Sequence, residues 1–213
     1  MENVKIKICG ITKSEEIKIL NEAGVDLAGF VFYEKSKRNI DPERAAKLKT
    51  ELSPSIKSVA VTVSPDAALI RKIDALGFDI IQMHGDIDSE AIAAAKHPVW
   101  IALNEKTPDA AEHKIALTEE GLGDRAVKIR AYLFDAPDFG SGKTSDWESG
   151  RRIRTDKMFV LAGGLSSDNI NEGIRIFEPD VVDVSSSVEG KSGKDRDKIF
   201  SFVNAVRKVR DDE

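Results

Sequence analysis

The chain has 213 residues, 41% of them hydrophobic, and a formal net charge of −5. That length holds one large domain or two small ones with a core that needs neither disulfides nor metal, and the dispersed acidic charge argues against a nucleic-acid-binding surface. One cysteine excludes an internal disulfide and a cysteine-based zinc cluster. The start lacks a signal-peptide core and no apolar run approaches the roughly 20 residues of a membrane span, so a soluble, cytoplasmic protein is expected.

Val4–Ile8 alternates apolar and charged residues like a strand and delivers Cys9 to its end, with Gly10 and Thr12 just beyond. A helix over Ser14–Ala23 follows, with Ser14 as N-cap and Gly24 past its end. Leu27–Phe32 is the second strand, and Asp41 before Pro42 opens a helix over Pro42–Leu52. Val59–Val63 is the third strand, and Ser64 and Gly77 bracket a helix over Pro65–Leu76. Asp79–Met83 and Val99–Leu103 are the next strands, with a helix at Ser89–Lys96 between them. Pro108–Leu117 suits a helix that Gly121-Leu122-Gly123 interrupts.

Ala131–Phe134 is a sixth strand ending at Asp135, before a polar loop over Pro137–Ser145 and a short helix near Asp146–Arg152. Met158–Ala162 and Val181–Val184 are the seventh and eighth strands, separated by a helix over Ser167–Phe177. Asp195–Arg210 is the last helix, with Ile199, Phe202, Val203, Val206 and Val209 on one face. Short apolar strands alternating with helices indicate a parallel sheet buried on both faces. Eight such units without a linker predict a single α/β domain over residues 1–213, a closed (β/α)8 barrel. An open doubly wound sheet is the runner-up.

In such a barrel the site forms at the C-terminal ends of the strands. Cys9, Arg38, His84, Asp135, Gly163-Gly164 and Ser185-Ser186-Ser187 follow successive strands there. The glycine pair, the helix beginning near Ser167 and the serine run make a phosphate cradle. A plain tight turn and a solvated loop are the bland alternatives. Cys9 and Asp135 are acid–base candidates, since a thiol titrates near 8.5 and a carboxyl near 4 when unperturbed. Taken alone, Cys9 also reads as a small buried hydrophobe, and Asp135 as a turn residue.

The Arg38 guanidinium could grip a carboxylate at two points, although a solvated basic loop is the usual reading of such a cluster, and Lys35 and Lys37 read as solvated loop charges. His84 reads as a turn residue bonding its own backbone, and His97 and His113 as surface residues. Three scattered histidines have no metal-ligand spacing, so neither metal nor cofactor is expected.

These motifs resemble the phosphoribosylanthranilate isomerase family of tryptophan biosynthesis over essentially the whole chain. The matching stretches are Lys7-Ile8-Cys9-Gly10-Ile11-Thr12, Gly29–Phe32 with Ser36-Lys37-Arg38, Gln82–Gly85, Asp135 with Gly140–Trp147, Leu161–Leu165 and Val182–Glu189. The resemblance implies a (β/α)8 barrel and a metal-free Amadori rearrangement of N-(5-phosphoribosyl)anthranilate. It implies Cys9 as general base and Asp135 as general acid. By the same resemblance Arg38 binds the anthranilate carboxylate, and Gly163, Gly164, Ser185 and Ser186 bind the phosphate. Gly142 backs the loop after the sixth strand. A small-molecule substrate is implied, with the chain a monomer or homodimer.

The chain departs from the family pattern at Lys37 and Ser167 for proline, Ser187 for glycine, Ser141 for threonine and Ser192 for proline. None touches Cys9 or Asp135. An indole-forming barrel would want a lysine acid and glutamate partner, and an epimerase would want paired aspartates with metal-binding histidines. A barrel that binds a phosphorylated ligand without turnover is the rival outside catalysis.

Overall fold

The computed structural model describes residues 4–105, 107–135 and 151–208. Eight parallel strands close into a barrel in chain order: β1 (Lys5–Cys9), β2 (Leu27–Phe32), β3 (Lys57–Val63), β4 (Ile80–His84), β5 (Val99–Leu103), β6 (Ile129–Asp135), β7 (Met158–Ala162) and β8 (Val181–Val184). Closure comes from β1 pairing with β8, with Lys7 opposite Asp183. The helices are α1 (Ser14–Ala23), α2 (Pro42–Lys49), α3 (Ala67–Ala75), α4 (Ser89–Ala94), α5 (Pro108–Leu122), α6 (Ile170–Phe177) and α7 (Arg196–Lys208). A two-stranded hairpin of β9 (Glu189–Gly190) and β10 (Gly193–Lys194) lies between β8 and α7. The open-sheet alternative is thereby excluded.

Strand periodicity divides the core in two. One set of alternate positions, including Ile6, Ile8, Phe30, Ile81 and Phe159, packs outward against the helices. The other, including Leu27, Val31, Val61, Trp100, Leu133 and Val160, fills the lumen, with Cys9 packed against its edge. This alternation is why polar residues that share a side with Cys9 end up inside the barrel.

Several helix starts differ from expectation. Ser14 is the first helical residue of α1 and not its cap. The Glu16 carboxylate does the capping, accepting from the N–H groups of Thr12 and Lys13. Its other oxygen accepts from the Lys194 N–H at 2.9 Å, so one buried acid ties the β1–α1 loop to the hairpin. α3 is opened by Asp66, whose Oδ1 accepts from Leu69 N–H, and not by Ser64. Ser64 instead takes a left-handed φ of 45° and donates its N–H to His84 O.

α5 runs through Gly121 and stops only at Gly123, at φ 52°. α6 begins at Ile170, because the Asn169 side chain accepts from Ser166 N–H and folds those residues into a turn first. Gly142, the Pro137–Ser145 loop and most of the expected Asp146–Arg152 helix lie outside the described residues, as do Val209 and Arg210. No helix among the described residues is long and apolar enough to cross a membrane.

Candidate active site

The C-terminal mouth of the barrel holds a cavity of about 300 Å³, the lower end of the range for small-ligand pockets. Cys9, Arg38, Asp135, Gly163, Gly164, Ser185 and Ser186 all line it. Seven candidates separated by up to 177 positions in sequence therefore meet in one place. Ser36, His84 and Asp183 complete the polar wall.

Each candidate is placed by its element. Cys9 ends β1 opposite Gly29, where a Cβ would come within 2.8 Å of the sulfur and 3.2 Å of Lys7 Nζ. Glycine at 29 is thus what leaves room for the thiol. Gly10 follows at φ 90°, and a Cβ there would overlap the Arg38 side chain, which lies across it. Gly163 and Gly164 both have left-handed φ, 89° and 56°, which open the backbone after β7. Ser185 donates its hydroxyl to Cys9 O at 2.9 Å, joining the loop after β8 to the end of β1. Ser186 begins a short 3-10 turn, Ser186–Val188. Ser187, standing where a glycine was expected, donates its hydroxyl to Leu165 O at 2.5 Å and so links the two cradle loops.

Arg38 does grip a carboxylate at two points, but that carboxylate belongs to Glu189. Nε donates to Oε1 at 2.5 Å and Nη2 to Oε2 at 3.1 Å. Lys37 and Lys194 reach the same group at 2.9 and 3.1 Å. Lys37 is solvated as expected, with its side chain 71% exposed, and pairs with Glu189 from the surface. Burial works to raise the Glu189 pKa, but the hydrogen bonds from Arg38, Lys37 and Lys194 hold it at about 2. Among the described residues, Nη1 of Arg38 has no hydrogen-bond partner.

His84 differs from the expected turn residue. Its ring ends β4 at the cavity wall, 2.7 Å from the side-chain nitrogen of Gln82. Burial, with the nearby Lys7 charge, lowers its pKa to about 4, so it is neutral at pH 7 and accepts from Gln82. His97 is half exposed yet pairs through Nδ1 with the buried Asp74 at 2.6 Å.

Two charged residues were not singled out in advance. Lys7 and Asp183 form an ion pair of 2.7 Å inside the barrel, with side chains 0% and 8% exposed. Burial opposes the charge on Lys7, but Asp183 and Cys9 outweigh it and hold the ammonium protonated. Their signal was the alternation itself: Lys7 shares a side of β1 with Cys9, and Asp183 shares a side of β8 with Ser185.

Two acid–base candidates feel this pair differently. Burial pushes the Cys9 thiol up, the Lys7 charge opposes this without overcoming it, and the Asp183 charge adds to the rise. Burial also raises Asp135, and the Asp183 charge adds to that shift. The arrangement suits a carboxyl that holds a proton and a thiol from which Lys7 helps remove one.

The family model described as "N-(5'phosphoribosyl)anthranilate (PRA) isomerase" matches residues 6–205. The N-(5'-phosphoribosyl)anthranilate isomerase of Streptococcus mutans is 38% identical, over 96% of this chain and 99% of that protein. The crystal structure of phosphoribosyl anthranilate isomerase from Thermotoga maritima superposes with a TM-score of 0.82 at 33% identity, covering 96% of this chain and 99% of that one. A further isomerase structure, in complex with reduced 1-(o-carboxyphenylamino)-1-deoxyribulose 5-phosphate, superposes at a TM-score of 0.77 and 30% identity, covering 96% and 99%. With the barrel, its ordered motifs and this near-complete coverage, the chain belongs to the N-(5'-phosphoribosyl)anthranilate isomerase family.

Proposed function

We propose that this barrel converts N-(5-phosphoribosyl)anthranilate to 1-(2-carboxyphenylamino)-1-deoxyribulose 5-phosphate by an Amadori rearrangement, a step of tryptophan biosynthesis. The observation that carries the reading is that Cys9 and Asp135, from the non-adjacent strands β1 and β6, line one cavity with both glycine- and serine-bearing loops. Asp135 protonates the ribose ring oxygen as the C1–O bond breaks, and the amine nitrogen supplies the electron pair that makes the Schiff base. Cys9 as thiolate then removes the proton from C2, and the released pair neutralises the iminium to give an enolamine, which tautomerises to the ketone.

Thiol plus carboxylate, and thiolate plus carboxylic acid, differ only in the location of one proton. Asp183 and burial favour the proton on Asp135, and Lys7 favours the bare sulfur. The reactive form is the one with the proton on the carboxyl and none on the sulfur. The substrate phosphate sits between the Gly163-Gly164 and Ser185-Ser186 backbones, and by the family resemblance Gly142 is a further substrate-binding residue. The substrate carboxylate takes the Nη1 edge of Arg38.

Turnover of N-(5-phosphoribosyl)anthranilate, followed by loss of anthranilate fluorescence, is the test. Enzyme-dependent decay is expected. A folded protein that binds a phosphorylated pentose without decay would instead mark a silent binding barrel. Gly29→Ala is a second check, because the added methyl pushes on the sulfur and on the Cys9 backbone 3.1 Å away. A displacement of that order costs about 10²-fold in rate. We expect kcat to fall by about that factor while thermal unfolding stays cooperative; unchanged kcat would mean the thiol needs no fixed position.

A further inference from the structure

We propose that Asp183 is a third group of the reacting centre, whose Oδ1 accepts a hydrogen bond from the pentose hydroxyl on the carbon that Cys9 deprotonates. Lys7 acts through it and through the thiol as a positioning residue. The proposal rests on the reaction assigned above and extends it to the recognition of one hydroxyl.

Three observations lead there. First, Asp183 Oδ2 is taken by Lys7, but Oδ1 is buried with no hydrogen-bond partner among the described residues. Buried polar atoms nearly always have partners, so an orphan beside a ligand cavity calls for a donor from the ligand. Asp183 lines that cavity. Second, Lys7 Nζ and Cys9 Sγ both lie within 3.2 Å of one point over Gly29, so they are at most about 6 Å apart. One ammonium thus serves a carboxylate and a thiol at once. Third, a buried ion pair is a weak source of stability compared with apolar residues of the same volume. Its place at the base of the site is therefore better explained by chemistry than by folding.

The hydroxyl is chosen by position. Asp183 lines one cavity with both Cys9 and Asp135, the groups assigned above to C2 and to the ring oxygen on C1. The donor available on C2 is its hydroxyl. An acceptor there fixes the C2–H bond toward the sulfur and discriminates against a sugar without that group.

The test has three readouts. Asp183→Asn keeps the shape and is expected to lower kcat by about 10²-fold with KM within about threefold, the pattern of an interaction used mainly in the transition state. The second readout is the pH dependence of Cys9 alkylation by iodoacetamide. The thiol is faced by Lys7 on its own strand, Asp183 on β8 and Lys194 on β10, and it shares the cavity with Arg38, His84 and Asp135. Removing the Asp183 charge leaves the thiolate as the nearest counter-ion of Lys7, so the midpoint moves down. In the charge-neutral double variant Lys7→Met/Asp183→Leu it moves up relative to Asp183→Asn.

The third readout is binding of ribose 5-phosphate against 2-deoxyribose 5-phosphate. Wild type is expected to prefer the first, and the double variant to bind both alike. Asp183→Asn activity within about threefold of wild type, an unmoved alkylation midpoint, or sugar discrimination that survives in the double variant each overturns the proposal. If wild type does not turn over phosphoribosylanthranilate, the assigned reaction falls, and the alkylation and sugar-binding readouts still decide Asp183.

Discussion

Cys9→Ala and Asp135→Asn are each expected to lower kcat by about two to four decades, the usual worth of a positioned proton-transfer group. Both side chains sit at strand ends, Cys9 half-buried and Asp135 with its polar end at the cavity. Among the described residues, neither replacement removes a hydrogen bond that holds an element together, so melting temperatures should stay close to wild type. The double variant should be little worse than either single one, because the two groups serve one reaction sequence and the effects of groups acting as a unit do not add. Activity that survives Cys9→Ala within tenfold would remove the thiol from the mechanism and leave His84, neutral at pH 7, as the next base to examine.

Lys7→Met carries the largest expected loss of stability. It strands the Asp183 carboxylate in the lumen, 8% exposed, and breaking a buried pair by removing one partner costs about 3–5 kcal/mol. For a chain of this size that is a fall in melting temperature of roughly 6–20 °C. Lys7→Met/Asp183→Leu should recover most of the loss, since both charges leave together and apolar side chains fill the volume. Calorimetry on the two variants separates these outcomes. A single variant as stable as wild type would mean that Asp183 takes up a proton in the folded protein at little cost.

Much of this molecule was readable in advance, for identifiable reasons. All eight strands were placed to within a few residues because apolar runs of that length have no other use in an alternating chain. The site residues followed from a geometric rule, that polar groups at the C-terminal ends of barrel strands converge. Helix starts were less legible. Ser14 and Ser64 each offered a hydroxyl in a suitable place, but Glu16 and Asp66 supplied the decisive hydrogen bonds from further along the chain. A local cue cannot show which of several nearby acceptors reaches the free N–H groups.

Lys7 was missed for a different reason. In Lys5-Ile6-Lys7-Ile8-Cys9 the alternation looks like a solvent-facing strand, and Lys5 is indeed exposed. Two residues further along the same side, the barrel has closed around the chain and Lys7 is fully buried. Charge alone cannot distinguish these environments, but sharing a side with a reactive cysteine can. Arg38 lines the cavity at the end where it was expected, whereas its partner Glu189 lies 151 positions away, beyond the reach of any local pattern.

The seam that closes the barrel also governs when a site exists at all. Lys7 and Cys9 come from the first strand, and Asp183 and Ser185 from the end of the last, 176 positions later. Joining chain ends that far apart costs about 4–5 kcal/mol of loop entropy, and little is recovered until β1 and β8 pair. A chain emerging from the ribosome can form its middle strands and helices early, yet it has half of a reacting centre until the last strand docks. Catalytic competence is thus the final event of assembly, and an incompletely folded barrel is a silent one.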